Sequence, residues 1–151
     1  MTRPYFIALF IVLILVAIQI VPVEQTNPRV TGEIEVPSNV ANVLRASCYD
    51  CHSNETVWPV YARVAPFSWL TARDVRIGRD ELNFSEWTAA SDRRKDHKLE
   101  EVEEMVTKGK MPLWFYLPLH PSARLDEDEK DLLVEWSRAE RERIGYTPDP
   151  E

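Results

Sequence analysis

Cys48, Cys51 and His52 stand together as Cys48-Tyr49-Asp50-Cys51-His52. Residues three and four apart share one face of a helix. The spacing therefore presents two thiols on one side, with an imidazole next in the chain. That is the pattern of c-type haem attachment, in which each cysteine forms a thioether with one vinyl group and the histidine places a ring nitrogen on the iron. Other uses of these residues meet obstacles. A disulfide between Cys48 and Cys51 would close a very short loop and restrict little of the unfolded chain. A thioredoxin-like pair needs a βαβ setting, of which the sequence shows no sign. A zinc site would have to recruit His97 or His120, since no second cysteine pair exists.

A haem iron bound by His52 raises the question of a sixth ligand. The remaining candidates are His97, His120, Met105 and Met111. Met105 falls in an apolar helical pattern and reads as core. Met111 follows Gly109-Lys110 and precedes Pro112, which disfavours helical geometry for the residue before it. A thioether on a stiff loop suits an axial position, so Met111 is the expected distal ligand. His120, between Leu119 and Pro121, is the alternative, either on the iron or on a haem propionate. His97 lies in a charged run that reads as a solvated loop. Arg63 and Arg73 are further propionate candidates. The carbonyl of Pro59 or Pro66 is expected to receive the Nδ1 proton of His52.

The elements that must hold these groups read as helices. Ser38 begins a helix that runs to about Cys51 and carries Val40, Val43 and Leu44 on one face. A second starts at Pro66 with Phe67, Trp69, Leu70 and Val75. A third spans about Leu99 to Lys108 and stops at Gly109. The last opens on Asp126-x-x-Glu129, a capping box, and ends near Gly145. No stretch alternates long enough to be a strand. The fold class is therefore all-α, a small cytochrome-c-like helical domain.

Ahead of it, Tyr5–Val23 is almost wholly apolar, with Gln19 the one polar side chain. At about 1.5 Å per residue the run approaches the roughly 30 Å bilayer core. It is expected to be one N-terminal transmembrane helix, retained because no small-x-small cleavage site follows. The organisation expected is an anchor at 1–24, an extended tether at 25–36, a haem domain at 37–146 and a tail at 147–151. Arg3 before the apolar run puts the domain outside a bacterial inner membrane, in the periplasm or beyond.

Composition removes other classes. The 4 glycines of the 151 residues, at 32, 78, 109 and 145, exclude a GxGxxG or Walker loop. A net charge of −7 with no basic block makes nucleic acid an unsuitable partner. Trp58, Tyr61, Phe67, Trp69, Trp114, Phe115 and Tyr116 could wall an apolar pocket or serve as ordinary core.

Several stretches carry a resemblance. Cys48 to Thr56, Trp58-Pro59, Ala65-Pro66-Phe67-Ser68-Trp69, Leu82-Asn83-Phe84-Ser85-Glu86-Trp87 and Met111-Pro112-Leu113-Trp114 resemble the bacterial haem-binding domain family of cytochrome-c-like proteins. The resemblance covers most of residues 37–140. It implies one covalent haem c, with His52 proximal and Met111 distal, and a general plan similar to class I cytochromes c. Two functions fit. One is a membrane-tethered carrier of single electrons, not an enzyme, serving a redox partner protein or a membrane electron-transfer component. The other is an open-site haem enzyme or a gas or redox sensor.

Overall fold

The computed structural model describes residues 3–147 and is all-helical among them. The six helices are α1 (Arg3–Ala17), α2 (Ser38–Ser47), α3 (Tyr49–His52), α4 (Phe67–Glu81), α5 (Asp92–Thr107) and α6 (Glu127–Ile144). Short 3-10 turns sit at Ile18–Ile20, Val60–Arg63, Trp87–Ala89 and Pro121–Ala123. The one extended pairing described is an isolated parallel bridge between Gly32 and Glu86. Most of the expected tail, 148–151, lies outside the described residues, as do Met1 and Thr2.

The core follows from helical periodicity. Val40, Val43 and Leu44 bury one face of α2, Leu99 and Val106 one face of α5, and Leu133 and Trp136 one face of α6. Phe84 closes this cluster and stacks on Tyr49 with ring centroids 5.3 Å apart. The α5–α6 pair is antiparallel, as its cross-links show. Asp96 meets Arg141 at 3.0 Å, and Glu103, one helical stretch later, meets Arg138 at 2.6 Å. Lying at the solvent edge of the helix pair, each contributes at most about 1 kcal/mol. The α6 start carries both hydrogen bonds of the Asp126–Glu129 capping box, and Gly145 ends the helix at φ +63°.

Several boundaries differ from expectation. Ser38 is the first helical residue of α2 but makes no side-chain cap, and Pro66 stands just before α4 instead of opening it. The charged run around His97 is the first half of α5, not a loop. Ser91 caps that helix by accepting a hydrogen bond from the Arg94 amide at 3.3 Å. His97 lies exposed there beside Glu100 and Glu101.

The single transmembrane helix expected over Tyr5–Val23 is corrected. No helix among the described residues is long and apolar enough to cross a membrane. The helix that covers the start of the run, α1, is 15 residues long and stops at Ala17, which at about 1.5 Å per residue gives roughly 22 Å. Beyond Ala17 the backbone tightens to a 3-10 turn and then extends at Val21, just before Pro22. Proline biases its predecessor away from helix, which ends the element early. The large apolar side chains from Tyr5 to Val16 nevertheless stand exposed.

Residues 25–36 form no helix, and they are stitched to the domain. The Thr31 and Gly32 amides donate to Ser85 O at 3.1 and 3.0 Å, and the Ile34 amide donates to Phe84 O at 3.0 Å. Ile34 is buried in the core.

Candidate functional site

The motif sits on a break between two helices. Cys48 leaves α2 with φ −123°, and its carbonyl accepts the amides of Cys51 (3.1 Å) and His52 (2.9 Å) to start the single turn of α3. Cys48 and Cys51 are both free thiols and half-buried. Burial pushes the Cys48 thiol up to about 12 and the Cys51 thiol up to about 11. At neutral pH both are protonated. A redox-active or metal-binding cysteine pair works through thiolates, so these surroundings oppose both alternatives. Among the described residues no three His, Cys, Asp or Glu side chains gather as a metal site.

His52 is fixed by α4. Its Nδ1 donates to the carbonyls of Gly78 (2.9 Å) and Leu82 (3.1 Å), at the end of that helix. The expected acceptors, Pro59 and Pro66, are replaced by these two. Leu82 breaks from helical geometry, which leaves its carbonyl free to accept, while Gly78 O, already accepting the Leu82 amide at 2.9 Å, takes the imidazole on its second lone pair. Burial lowers the His52 pKa, against the opposing effect of both carbonyls. The ring is thus neutral, its proton is held on Nδ1, and Nε2 keeps its lone pair for a metal.

Gly78 makes the approach of α4 possible. A Cβ there would stand 2.5 Å from Cys51 O and 3.1 Å from Cys51 Cβ. The helix therefore lies directly on the motif backbone.

The residues after His52 form a buried polar knot that sequence reasoning missed. Ser53, Asn54, Thr56 and Ser85 are all buried. The Asn54 amide donates to Ser85 Oγ, and its side chain bonds Arg29 O, Glu86 and Asn83. Arg79 donates to Ser53 O (2.7 Å), Thr26 O (2.8 Å), Asn27 Oδ1 (3.2 Å) and Thr56 Oγ1 (2.8 Å). The His52 carbonyl accepts the Phe84 amide at 2.8 Å. The signal was present as polar residues clustered at 53–56 and 83–86, but nothing in one sequence says that they face each other. Asn54→Ala should strand the Asn83 amide and destabilise the domain by about 2 kcal/mol, the cost of an unmet buried hydrogen bond. Urea unfolding at equilibrium measures it, and Asn83→Ala in the same background should then add little.

On the other side, Asp50 ties the motif to the 113–120 loop. Tyr116 donates its hydroxyl to Asp50 Oδ2 at 2.7 Å, while Asp50 Oδ1 accepts the Val57 amide. His120 stacks on Tyr116 with centroids 3.8 Å apart, and its Nδ1 lies 3.2 Å from Tyr116 O. Tyr61 meets the same imidazole edge-on. The structure thus brings His120 to the motif through Tyr116. Met111 stands exposed beyond α5, its amide donating to Met105 O at 3.3 Å. Gly109, at φ +60°, turns the chain into that loop. Arg73 is exposed and pairs with Asp74, and Arg63 is exposed in its 3-10 turn.

The seven aromatics named above are absent from the hydrophobic core. Phe67, Trp69, Trp114 and Phe115 are exposed, while Trp58, Tyr61 and Tyr116 are half-buried. Apolar surface on the segments that flank a Cys-x-x-Cys-His turn is what a planar apolar cofactor would cover. The donor set of two protonated thiols and one neutral, oriented imidazole fits a haem. A surface groove of about 480 Å³ is lined by Glu35, Pro37, Trp136 and Arg143 among others, and no motif residue lines it. No curated protein and no solved structure matches this chain. The family model described as "Haem-binding domain" matches residues 13–139, and the chain accordingly belongs to the haem-binding domain family.

Proposed function

We propose that this haem-binding protein carries one covalently attached haem c and passes single electrons, held at a bacterial membrane by its apolar N-terminal segment. The observation that carries the reading is the fixed tautomer of His52, one residue beyond two protonated thiols. Cys48 and Cys51 would each add S–H across a vinyl double bond, with sulfur joining one carbon and hydrogen the other. His52 Nε2 would hold the iron, and Met111 would be the proposed second protein ligand, with His120 as its rival. The haem contributes a one-electron couple. The chain's own residues hold the imidazole through Gly78 and Leu82 and tie the 113–120 loop to the motif through Asp50 and Tyr116.

A carrier rather than a catalyst is supported by what surrounds the motif. Asp50, the acid within it, is occupied by Tyr116 and the Val57 amide. The exposed apolar side chains of α1 support attachment to lipid. A domain on the outer side of that membrane would meet a redox partner protein or a membrane electron-transfer component.

Attachment is tested by acid–acetone extraction of the purified holoprotein. The haem is expected to stay with the polypeptide, and a Cys48→Ser/Cys51→Ser chain should release all of it. Complete release from the unaltered chain would overturn the covalent reading.

A further inference from the structure

The polar residue that interrupts the apolar run has a structural task. Gln19 Oε1 accepts the Ala65 amide at 2.9 Å, and its Nε2 donates to Ala65 O at 3.2 Å and to Leu15 O at 2.9 Å. One side chain thus satisfies both backbone groups of Ala65. Six residues later Gln25 Nε2 donates to Ala62 O. Two glutamines fasten the end of the apolar segment to the 60–67 stretch of the haem domain, a stretch distant in sequence.

That stretch is two-faced. Ala62, Ala65 and Ser68 are buried against the domain. Val60, Val64 and Phe67, spaced four and three apart, point outward at 81%, 50% and 56% exposure. The three belong to successive elements: Val60 opens the 3-10 turn, Val64 is extended just beyond it and Phe67 opens α4. They lie beside the apolar segment because Ala62 and Ala65, between them, are its anchor points. Arg63 is exposed in the same turn, where a cation would meet anionic headgroups.

From this we infer that Gln19 and Gln25 clasp the haem domain flat against the bilayer, with Val60, Val64 and Phe67 seated in the lipid interface. The occupant of these exposed apolar side chains is the membrane surface, because the stretch that bears them is hydrogen-bonded to the end of the apolar segment, whose own side chains on α1 stand exposed. The inference rests on the membrane attachment proposed above. It adds that the domain has a fixed orientation instead of swinging on a tether.

Photo-crosslinking in the full chain tests it. The photoreactive residue p-benzoyl-phenylalanine is placed singly at Val60, Val64, Phe67, Ile11 or Glu135, the last being exposed on α6. Each protein is reconstituted into phosphatidylcholine–phosphatidylglycerol nanodiscs, irradiated and weighed by mass spectrometry. Lipid adducts are expected at Val60, Val64, Phe67 and Ile11, and none at Glu135. A Gln19→Leu/Gln25→Leu chain should lose adducts at Val60 and Val64 severalfold while keeping those at Ile11. Adducts at Ile11 with none at 60, 64 and 67 would overturn the clasp and leave membrane attachment standing. No adduct at Ile11 would remove the attachment itself. Equal yields with and without the two glutamines would overturn their role.

Discussion

Met111→Ala is expected to abolish the weak sulfur-to-iron absorption of the ferric protein and to open the ferrous iron to carbon monoxide. The reasoning is one of ligand supply. Met111 leaves the end of α5 through Gly109, on a loop where its side chain is exposed instead of committed to the core. Thioether sulfur favours ferrous iron more than imidazole does, so Met111→His should retain six-coordination and lower the reduction potential. Axial ligands act within a tuning range on the order of 0.8 V, and spectroelectrochemistry would resolve the shift. His120→Ala should leave the spectrum almost unchanged, because that ring is packed between aromatics, stacked on Tyr116 and met edge-on by Tyr61. A high-spin iron in His120→Ala but not in Met111→Ala would assign the sixth position to His120. The protein would then be a bis-histidine carrier of lower potential. An unaltered protein with five-coordinate iron would instead point to ligand chemistry at an open site.

The second large effect is expected at Gly78. Gly78→Ala forces a methyl group to 2.5 Å from Cys51 O, a backbone atom that cannot rotate away. Either α4 lifts or the motif turn deforms. Overpacking of this kind costs about 1–3 kcal/mol. The same shift displaces Gly78 O from His52 Nδ1 and so loosens the imidazole. The chain should therefore lose stability in urea and also show a lower fraction of haem-loaded protein, measured by the haem-to-protein absorbance ratio. Gly145→Ala separates the two effects. Gly145 sits at φ +63° at the end of α6 with nothing closer than 3.8 Å, so alanine there should cost about 1 kcal/mol of strain and leave haem content unchanged.

Local chemistry and periodicity were legible in the sequence. The Asp126–Glu129 box, the Gly109 and Gly145 stops and the buried faces of α2, α5 and α6 all depend on residues within a turn or two of one another. So does the Cys48–Cys51–His52 spacing. What could not be read depends on distant pairs. The carbonyls that hold His52 belong to Gly78 and Leu82, and proximity along the chain suggested Pro59 and Pro66 instead. Arg79 looks like any surface arginine until its four acceptors are seen. The run around His97 looked like a loop because its charges mask a helix whose apolar side begins only at Leu99. The apolar run at 5–23 showed its length but not the tightening after Ala17, where Gln19 turns towards Ala65.

The polar knot around Ser53 and Asn54 also imposes an order in time. Its partners come from both directions along the chain, from Thr26–Arg29 before the motif and from Gly78–Glu86 after it. During synthesis the two thiols emerge before the residues that will cover them. At about 5–20 residues per second the interval lasts on the order of seconds. Throughout it the cysteines belong to an open, flexible peptide. Once residues 78–86 arrive, α4 lies down on the motif and the imidazole is locked. Any haem joined through those sulfurs is best delivered in that interval, to a nascent strand and not to a finished domain.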